Sequence, residues 1–157
     1  MTPAIEIALK AKVFHQVHQY THDAETTSYG QEAAEKLGIT QQQVFKTLVL
    51  SLQPKGFAVA VIPVSNQLSM KLLAKAAGAK KAALAERQDV ERLTGYVLGG
   101  VSPLGQKTRL ITLIDQSAVS FATIFVSAGR RGLEIELDPQ DLQRLTSAQF
   151  AALCPSL

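Results

Sequence analysis

A second cysteine is missing from this chain of 157 residues: Cys154 stands alone, so neither an internal disulfide nor a multi-cysteine metal site can form. That usage fits a reducing compartment, and a cytoplasmic location is expected. A secretory leader is not read either. Met1-Thr2-Pro3-Ala4-Ile5-Glu6 places an acid where a leader carries basic residues, and Lys10 and Lys12 interrupt the apolar stretch that follows. Long hydrophobic runs are absent: Phe57 to Val64 is about eight residues, against the roughly 20 of a membrane-spanning helix. No internal repeat, linker or low-complexity tract divides the sequence, so residues 1–157 are expected to form one domain. A domain of that size buries roughly two thirds of the surface its unfolded chain exposes.

The usual catalytic devices are also lacking. No serine stands in a nucleophile elbow, and no serine, histidine and acid follow one another in a triad order. His15, His18 and His22 invite a metal, but on a strand His15 and His18 point to opposite faces and no cysteine or acidic cluster completes a ligand set, so no metal is expected. Gly100 to Gly105 opens like a phosphate-binding P-loop, yet Gln106 occupies the lysine position and Lys107 and Thr108 are displaced by one, which excludes ATP binding of that type. No cofactor is expected. Cys154 lies in a terminal segment and reads as a frayed or lightly packed thiol.

What is present is a modest positive charge, +3 with a sequence pI near 9.1, which favours a polyanionic partner without specifying one. Thr2-Pro3 reads as the start of a first helix and Val13 to Tyr20 as a strand. Ser28 to Gln31 has the form of a capping box opening a helix that Gly38 closes. Thr40 to Gln43 repeats the form and puts Lys46 at a helix-to-strand junction, before a buried strand Thr47 to Leu52. Pro54-Lys55-Gly56 is turn chemistry, and Phe57 to Val64 completes a hairpin. A helix Ser69 to Ala77, a strand Lys80 to Ala85 and a helix Glu86 to Leu93 come next. Strands Arg109 to Ile114, Ala122 to Ser127 and Leu133 to Leu137 follow, then a helix from Asp138-Pro139 and another capped by Ser147. This order is not regular βαβ. It predicts an α/β fold of the α+β type, with a mixed, largely antiparallel sheet flanked by helices.

Three segments are candidates for function. The glycines around Ser102-Pro103, from Gly99 to Gly105, either bring backbone N–H groups close to a ligand or make a tight connection. Lys46 is either desolvated beside a pocket or extends into water. Arg130-Arg131 between two strands presents guanidinium groups to phosphates or marks a solvated hairpin tip. Lys71, Lys75, Lys80 and Lys81, with Lys107 and Arg109, add cations of no specific pattern.

Taken together, Phe45-Lys46-Thr47-Leu48, Thr94-Gly95-Tyr96 through Gly99 to Lys107, and Val126 to Leu133 resemble the YbaK family of tRNA-editing proteins in order and spacing. Thr2-Pro3-Ala4, Glu32 to Gly38 and Asp138 to Leu142 extend the resemblance over nearly the whole chain. It implies a compact editing domain related to the insertion domain of bacterial prolyl-tRNA synthetases, acting on mischarged tRNA without a metal. The family lysine falls on Lys46. The resemblance implies substrate contacts from Tyr20, Tyr29, Thr47, Gly100, Ser102, Gly105, Ser127 and Gly129, and tRNA phosphate contacts from Lys107, Arg130 and Arg131. The Gly-Gly-x-Ser-Pro-x-Gly-Gln-Lys form is similar to the branch that clears Cys-tRNA(Pro), in which the substrate thiol attacks its own ester. Hydrolysis of Ala-tRNA(Pro) by water and a non-catalytic tRNA- or synthetase-binding module are the competing readings. The implied partners are the mischarged tRNA(Pro) 3′ end and a prolyl-tRNA synthetase, with no membrane. Tyr29 stands where close relatives are expected to have phenylalanine, and Ala128 where glycine is common and a positive φ would penalise alanine.

Overall fold

The computed structural model describes residues 1–155; residues 156 and 157, the last two of the expected domain, lie outside the described residues. The chain opens with α1 (Pro3–Ala11), where Thr2 Oγ1 accepts from Ile5 N and Ala4 and Ala8 are buried. The elements then run β1 (His15–Gln19), α2 (Tyr29–Leu37), β2 (Phe45–Gln53), β3 (Phe57–Pro63), α3 (Met70–Ala77), β4 (Lys81–Leu84) and α4 (Arg87–Thr94). A second half adds β5 (Ile111–Asp115), a 3-10 turn at Gln116–Ser120, β6 (Ile124–Arg130), β7 (Leu133–Leu137), α5 (Pro139–Thr146) and β8 (Gln149–Ala151).

The strands form two sheets. One is antiparallel in the order β1-β7-β6; the other runs β4-β2-β3-β5-β8, with β3–β5 and β5–β8 parallel and the remaining pairs antiparallel. The period of two along β2 sorts its side chains between separate cores. Phe45 and Val49 join Val59, Val61, Val126 and Ile135, where the two sheets meet, while Leu50 and Leu52 join Ala60, Ile62 and Leu113 under α3, which contributes Leu73. Each fully buried aliphatic side chain of this kind contributes about 1.5–3 kcal/mol. A smaller cluster of Ala33, Ala34, Val44, Val64 and Phe125 packs α2 against β6 and against the residues that flank β2 and β3.

Mixed, mostly antiparallel pairing with helices on the sheet faces is what the sequence predicts, but several local readings change. Thr40 to Gln43 is a turn closed by a Thr40–Gln43 backbone bond and no helix follows; β2 begins at Phe45, so Lys46 lies inside a strand. Ser147 does not start a helix. It ends α5 in the left-handed region at φ 56, and the chain then adds β8 parallel to β5. Ser28 occupies the N-cap position of α2 at φ −99 and ψ 76 without a side-chain cap bond, so no capping box forms. Cys154 takes the lightly packed of its two readings, half-buried against the second core, and burial, with Asp115 adding and Lys46 opposing, pushes its thiol up to about 11. Ala128 has no positive φ; Gly129 takes that conformation at φ 114, and buried Ala128 accepts through its carbonyl from Thr2 Oγ1.

Candidate active site

Strand pairing opens a cavity beside β2. β3 accompanies β2 from Phe45 to Ser51, whereas β4 pairs only with Leu50 to Gln53, so the outer edge of residues 45–48 has no strand partner among the described residues. Both faces of a strand reach such an open edge, and Phe45, Lys46, Thr47, Leu48 and Val49 all line one cavity of about 520 Å³. Alternation puts Thr47 on the side of Phe45 and Val49, and Lys46 on the side of Leu48 and Leu50. The remaining walls come from Tyr20, residues 27–31 at the start of α2, the rim Leu98-Gly99 with Val101, and Ser127, Arg130, Arg131 and Glu134 of β6, β7 and their turn.

Two polar groups in this wall lack partners among the described residues. Thr47 Oγ1 is inaccessible to solvent and has no hydrogen-bond partner there, a condition that costs about 1–3 kcal/mol. Glu134, 7% exposed, sits on β7 between His18 of β1 and Ser127 of β6, and burial pushes its carboxyl up to about 8. It is therefore largely protonated at neutral pH. Among the described residues no cation pairs with it. Burial, with Glu134 adding, also pushes the Tyr20 phenol up to about 12 against the opposing hydrogen bond at Gly132. Glu134 is the one acid among the described lining residues, which include Lys46, Arg130, Arg131 and, paired with Glu91 at 3.4 Å, Arg87, so at neutral pH cations outnumber anions in the wall.

A chain of contacts fixes one side of the mouth. Glu32 accepts from Asp23 N at 2.8 Å and bonds His22 Nδ1 at 2.6 Å, and burial works against its ionisation, but these two bonds and the charges of His22 and Lys36 outweigh that and hold the carboxyl below its usual range. The His22 ring lies 5.6 Å from that of Tyr29, and Arg131 stacks on Tyr29 with Cζ 4.3 Å from the ring centre while Nη2 donates to Leu98 O at 3.1 Å. Gly99 threads this contact at φ 93: a Cβ there would meet Arg131 Nε and Tyr29 Cε2, each at 2.7 Å.

Of the residues singled out from sequence, Tyr20, Tyr29, Lys46, Thr47, Ser127, Arg130 and Arg131 are brought together around the cavity. Gly100, Ser102, Gly105, Gly129 and Lys107 are not among its lining residues. Ser102 is fully buried and its Oγ accepts from Leu104 N; Gly105 packs on the backbone of Pro3, and Gly100 on that of Arg130. Gly129 N donates to Ser127 Oγ at a bulge in β6, and Lys107 N donates to Thr94 O with its side chain exposed. Glu134 and Arg87 are the charged lining residues that sequence reasoning missed. In Leu133-Glu134-Ile135-Glu136-Leu137 the alternation reads as a half-buried strand with a wet acidic face, and no signal in the sequence says that Glu134 is buried on that face.

Comparison with known proteins agrees on one family. The model of the aminoacyl-tRNA editing domain matches residues 23–145. The chain is 39% identical over 152 residues to "Putative Cys-tRNA(Pro)/Cys-tRNA(Cys) deacylase EbsC" of Enterococcus faecalis, covering 97% of this chain and 92% of that protein. It is 29% identical over 109 residues to the proline–tRNA ligase of Trichlorobacter lovleyi, 69% of this chain and 18% of the ligase. The solved structure of "a putative trans-editing enzyme for prolyl tRNA synthetase" shares the fold, with a TM-score of 0.84 at 24% identity over 99% of each chain.

Proposed function

This chain belongs to the aminoacyl-tRNA editing domain family and is an aminoacyl-tRNA deacylase, and we propose that within that family it removes cysteine from Cys-tRNA(Pro). The observation that carries the reading is the cavity wall: Lys46, Arg130 and Arg131, without an ion pair among the described residues, line it together with one carboxyl that burial keeps largely protonated at neutral pH. Such a wall attracts the phosphates next to a tRNA 3′ terminus and supplies charge where an ester oxygen becomes negative. The EbsC relative, whose printed name includes both Cys-tRNA(Pro) and Cys-tRNA(Cys), supports the choice of cysteine.

In the proposed mechanism the substrate's own thiol attacks its ester carbonyl. A C–S bond forms, the C–O bond to the terminal ribose breaks, and the thiol proton passes to the departing hydroxyl, leaving a cyclic thioester that water opens later. The chain then needs no nucleophile of its own. Lys46 stabilises the charge that develops on the ester, Thr47 and Ser127 orient it from opposite walls, and Tyr20 and Tyr29 confine the small side chain. Unpaired Glu134 is suited to the substrate's α-ammonium, whose charge would draw the carboxyl into its ionised form. Gly100, Ser102, Gly105 and Gly129 act from behind the wall by holding its rim, while Arg130 and Arg131, with Lys107 farther out, meet phosphates. Residues 1–157 work as one editing unit in the cytoplasm with a prolyl-tRNA synthetase selecting the tRNA; no helix of the described residues is long and apolar enough to cross a membrane.

The test is deacylation of Cys-tRNA(Pro), Ala-tRNA(Pro) and Pro-tRNA(Pro) under matched conditions. Selective loss of cysteine is expected. Preferential loss of alanine assigns the water-dependent reaction instead, and tight binding without turnover makes the domain a binding module.

A further inference from the structure

Charge is spread along this chain unevenly. Seven of the sixteen basic residues and none of the thirteen acids fall between positions 36 and 85, a segment of formal charge +7 in a chain of +3, which leaves −4 for the rest. The fold gathers much of that excess at one corner. Lys80 N donates to Gln53 O at 2.9 Å, Lys81 is paired opposite Gln53, and Lys55 stands in the turn two residues beyond Gln53. Lys75 lies in the last turn of α3, whose Gly78 and Ala79 bond back to Lys75 and Ala74 before the chain delivers Lys80 to the sheet. All four lysines are exposed, and among the described residues none forms an ion pair, whereas Lys36, Arg87, Arg92 and Arg144 do. Folding therefore leaves the charge of these lysines available to a partner.

The corner is joined to the cavity by β4. That strand is the outer edge of its sheet; it starts at Lys81 and ends at Leu84, which is 61% exposed and lines the cavity together with Ala85. At about 3.3 Å per residue Lys81, three residues before Leu84, stands roughly 10 Å along the strand from the cavity wall. A single strand with its terminal nucleotide in the cavity and its preceding phosphates laid along β4 arrives at Lys81 and Lys80 within a few nucleotides.

We propose that the corner of Lys55, Lys75, Lys80 and Lys81 is a docking surface for the sugar-phosphate backbone of an RNA acceptor arm, with β4 as the track that leads the 3′ end into the cavity. The proposal rests on reading the cavity as an aminoacyl-ester site and adds where the RNA body lies. RNA is favoured over an acidic protein surface because the corner is continuous with a cavity whose own wall is cationic.

Two charge-matched variants test it, K80Q/K81Q on the corner and K10Q/K12Q at the exposed end of α1. The probe is an uncharged RNA minihelix ending in CCA, titrated at several salt concentrations; cysteinyl-adenosine, which has no phosphate, reports the cavity separately. K80Q/K81Q is expected to weaken minihelix binding roughly tenfold and to lower the salt slope by about one to two, while cysteinyl-adenosine turnover and the K10Q/K12Q variant stay near wild type. Equal losses in both variants, or none in K80Q/K81Q, would overturn the docking surface. So would unchanged minihelix binding with lost affinity for an acidic synthetase fragment or for vesicles containing phosphatidylserine. Absence of turnover of cysteinyl-adenosine by the wild type would instead strike at the ester site, a failure the binding titration does not share.

Discussion

The loop from Gly99 to Gly105 and the strand segment from Phe45 to Val49 contribute to the same site by opposite means. The loop is glycine-rich and reads like a ligand cradle, yet beyond Gly99 and Val101 its residues turn inward: Ser102 and Leu104 are fully buried, and Tyr96 donates its hydroxyl to Leu104 O at 2.6 Å. The strand segment reads like plain core, yet all five of its residues face the cavity because β4 stops short of them. Glycines here serve close packing, and a missing strand partner opens the cavity. If that division is right, substitutions in the strand should damage turnover and spare the fold, and substitutions in the loop should do the reverse.

The largest effect is expected at Lys46. Lys46→Ala removes a cation from the open edge of β2 without emptying a buried space, so deacylation should fall by roughly a hundredfold or more, with a melting temperature close to wild type. Near-normal turnover would take the lysine out of the mechanism and blur the contrast with the loop. Gly105→Ala sharpens the contrast from the other side. A Cβ at φ 69 would stand 2.7 Å from the backbone carbon of Pro3, and the combined strain and overlap should cost about 2–4 kcal/mol. Chemical unfolding checks the loss, and turnover per folded molecule should be retained.

The legible part of this molecule was local. Thr2-Pro3 starting α1, Ser69 and Gly78 bounding α3 and Asp138-Pro139 starting α5 are signals that act over a few residues, and each is found in place. Thr40 to Gln43 and Ser147 misled because a capping residue announces a change of direction as readily as a helix: Thr40 closes a turn, and Ser147 is itself left-handed. Lys46, Thr47 and the two arginines were found through a resemblance of motifs. Glu134 was not, because nothing in its own alternating segment separates it, buried, from half-buried Glu136 two residues on. Distance along the chain hid the role of Gly99, whose constraint arises only once Arg131 and Tyr29 meet across it.

Glu134 gives the next test, now by pH. A carboxyl with a folded pKa of about 8 and an ordinary value near 4.5 when unfolded holds its proton more tightly in the folded state. Its contribution is fully present below the unfolded value and is lost as pH rises toward about 8, because ionisation then favours unfolding. Glu134→Gln should flatten that decline between about pH 5 and 8, read as a smaller fall in urea midpoint. If the carboxyl also meets the substrate ammonium, the wild type should discriminate severalfold against N-acetylated cysteinyl-tRNA and the variant should not. A flattened stability profile with discrimination intact would leave Glu134 as a buried strand residue only.

The smallest effect on the fold is expected at Thr47, which makes it the cleanest separation of the two regions. Its hydroxyl is buried without a partner among the described residues, so Thr47→Val, nearly equal in shape, removes a desolvated group and should leave stability unchanged or raise it by up to about 1 kcal/mol. A ligand that supplies the missing partner would lose a hydrogen bond, lowering kcat/KM by roughly five- to tenfold. A gain in stability paired with a loss in turnover is the signature of a polar group kept for its substrate. If both stay unchanged, the hydroxyl is as idle in the complex as it is in the free protein, and the open edge of β2 binds through its backbone and Lys46 alone.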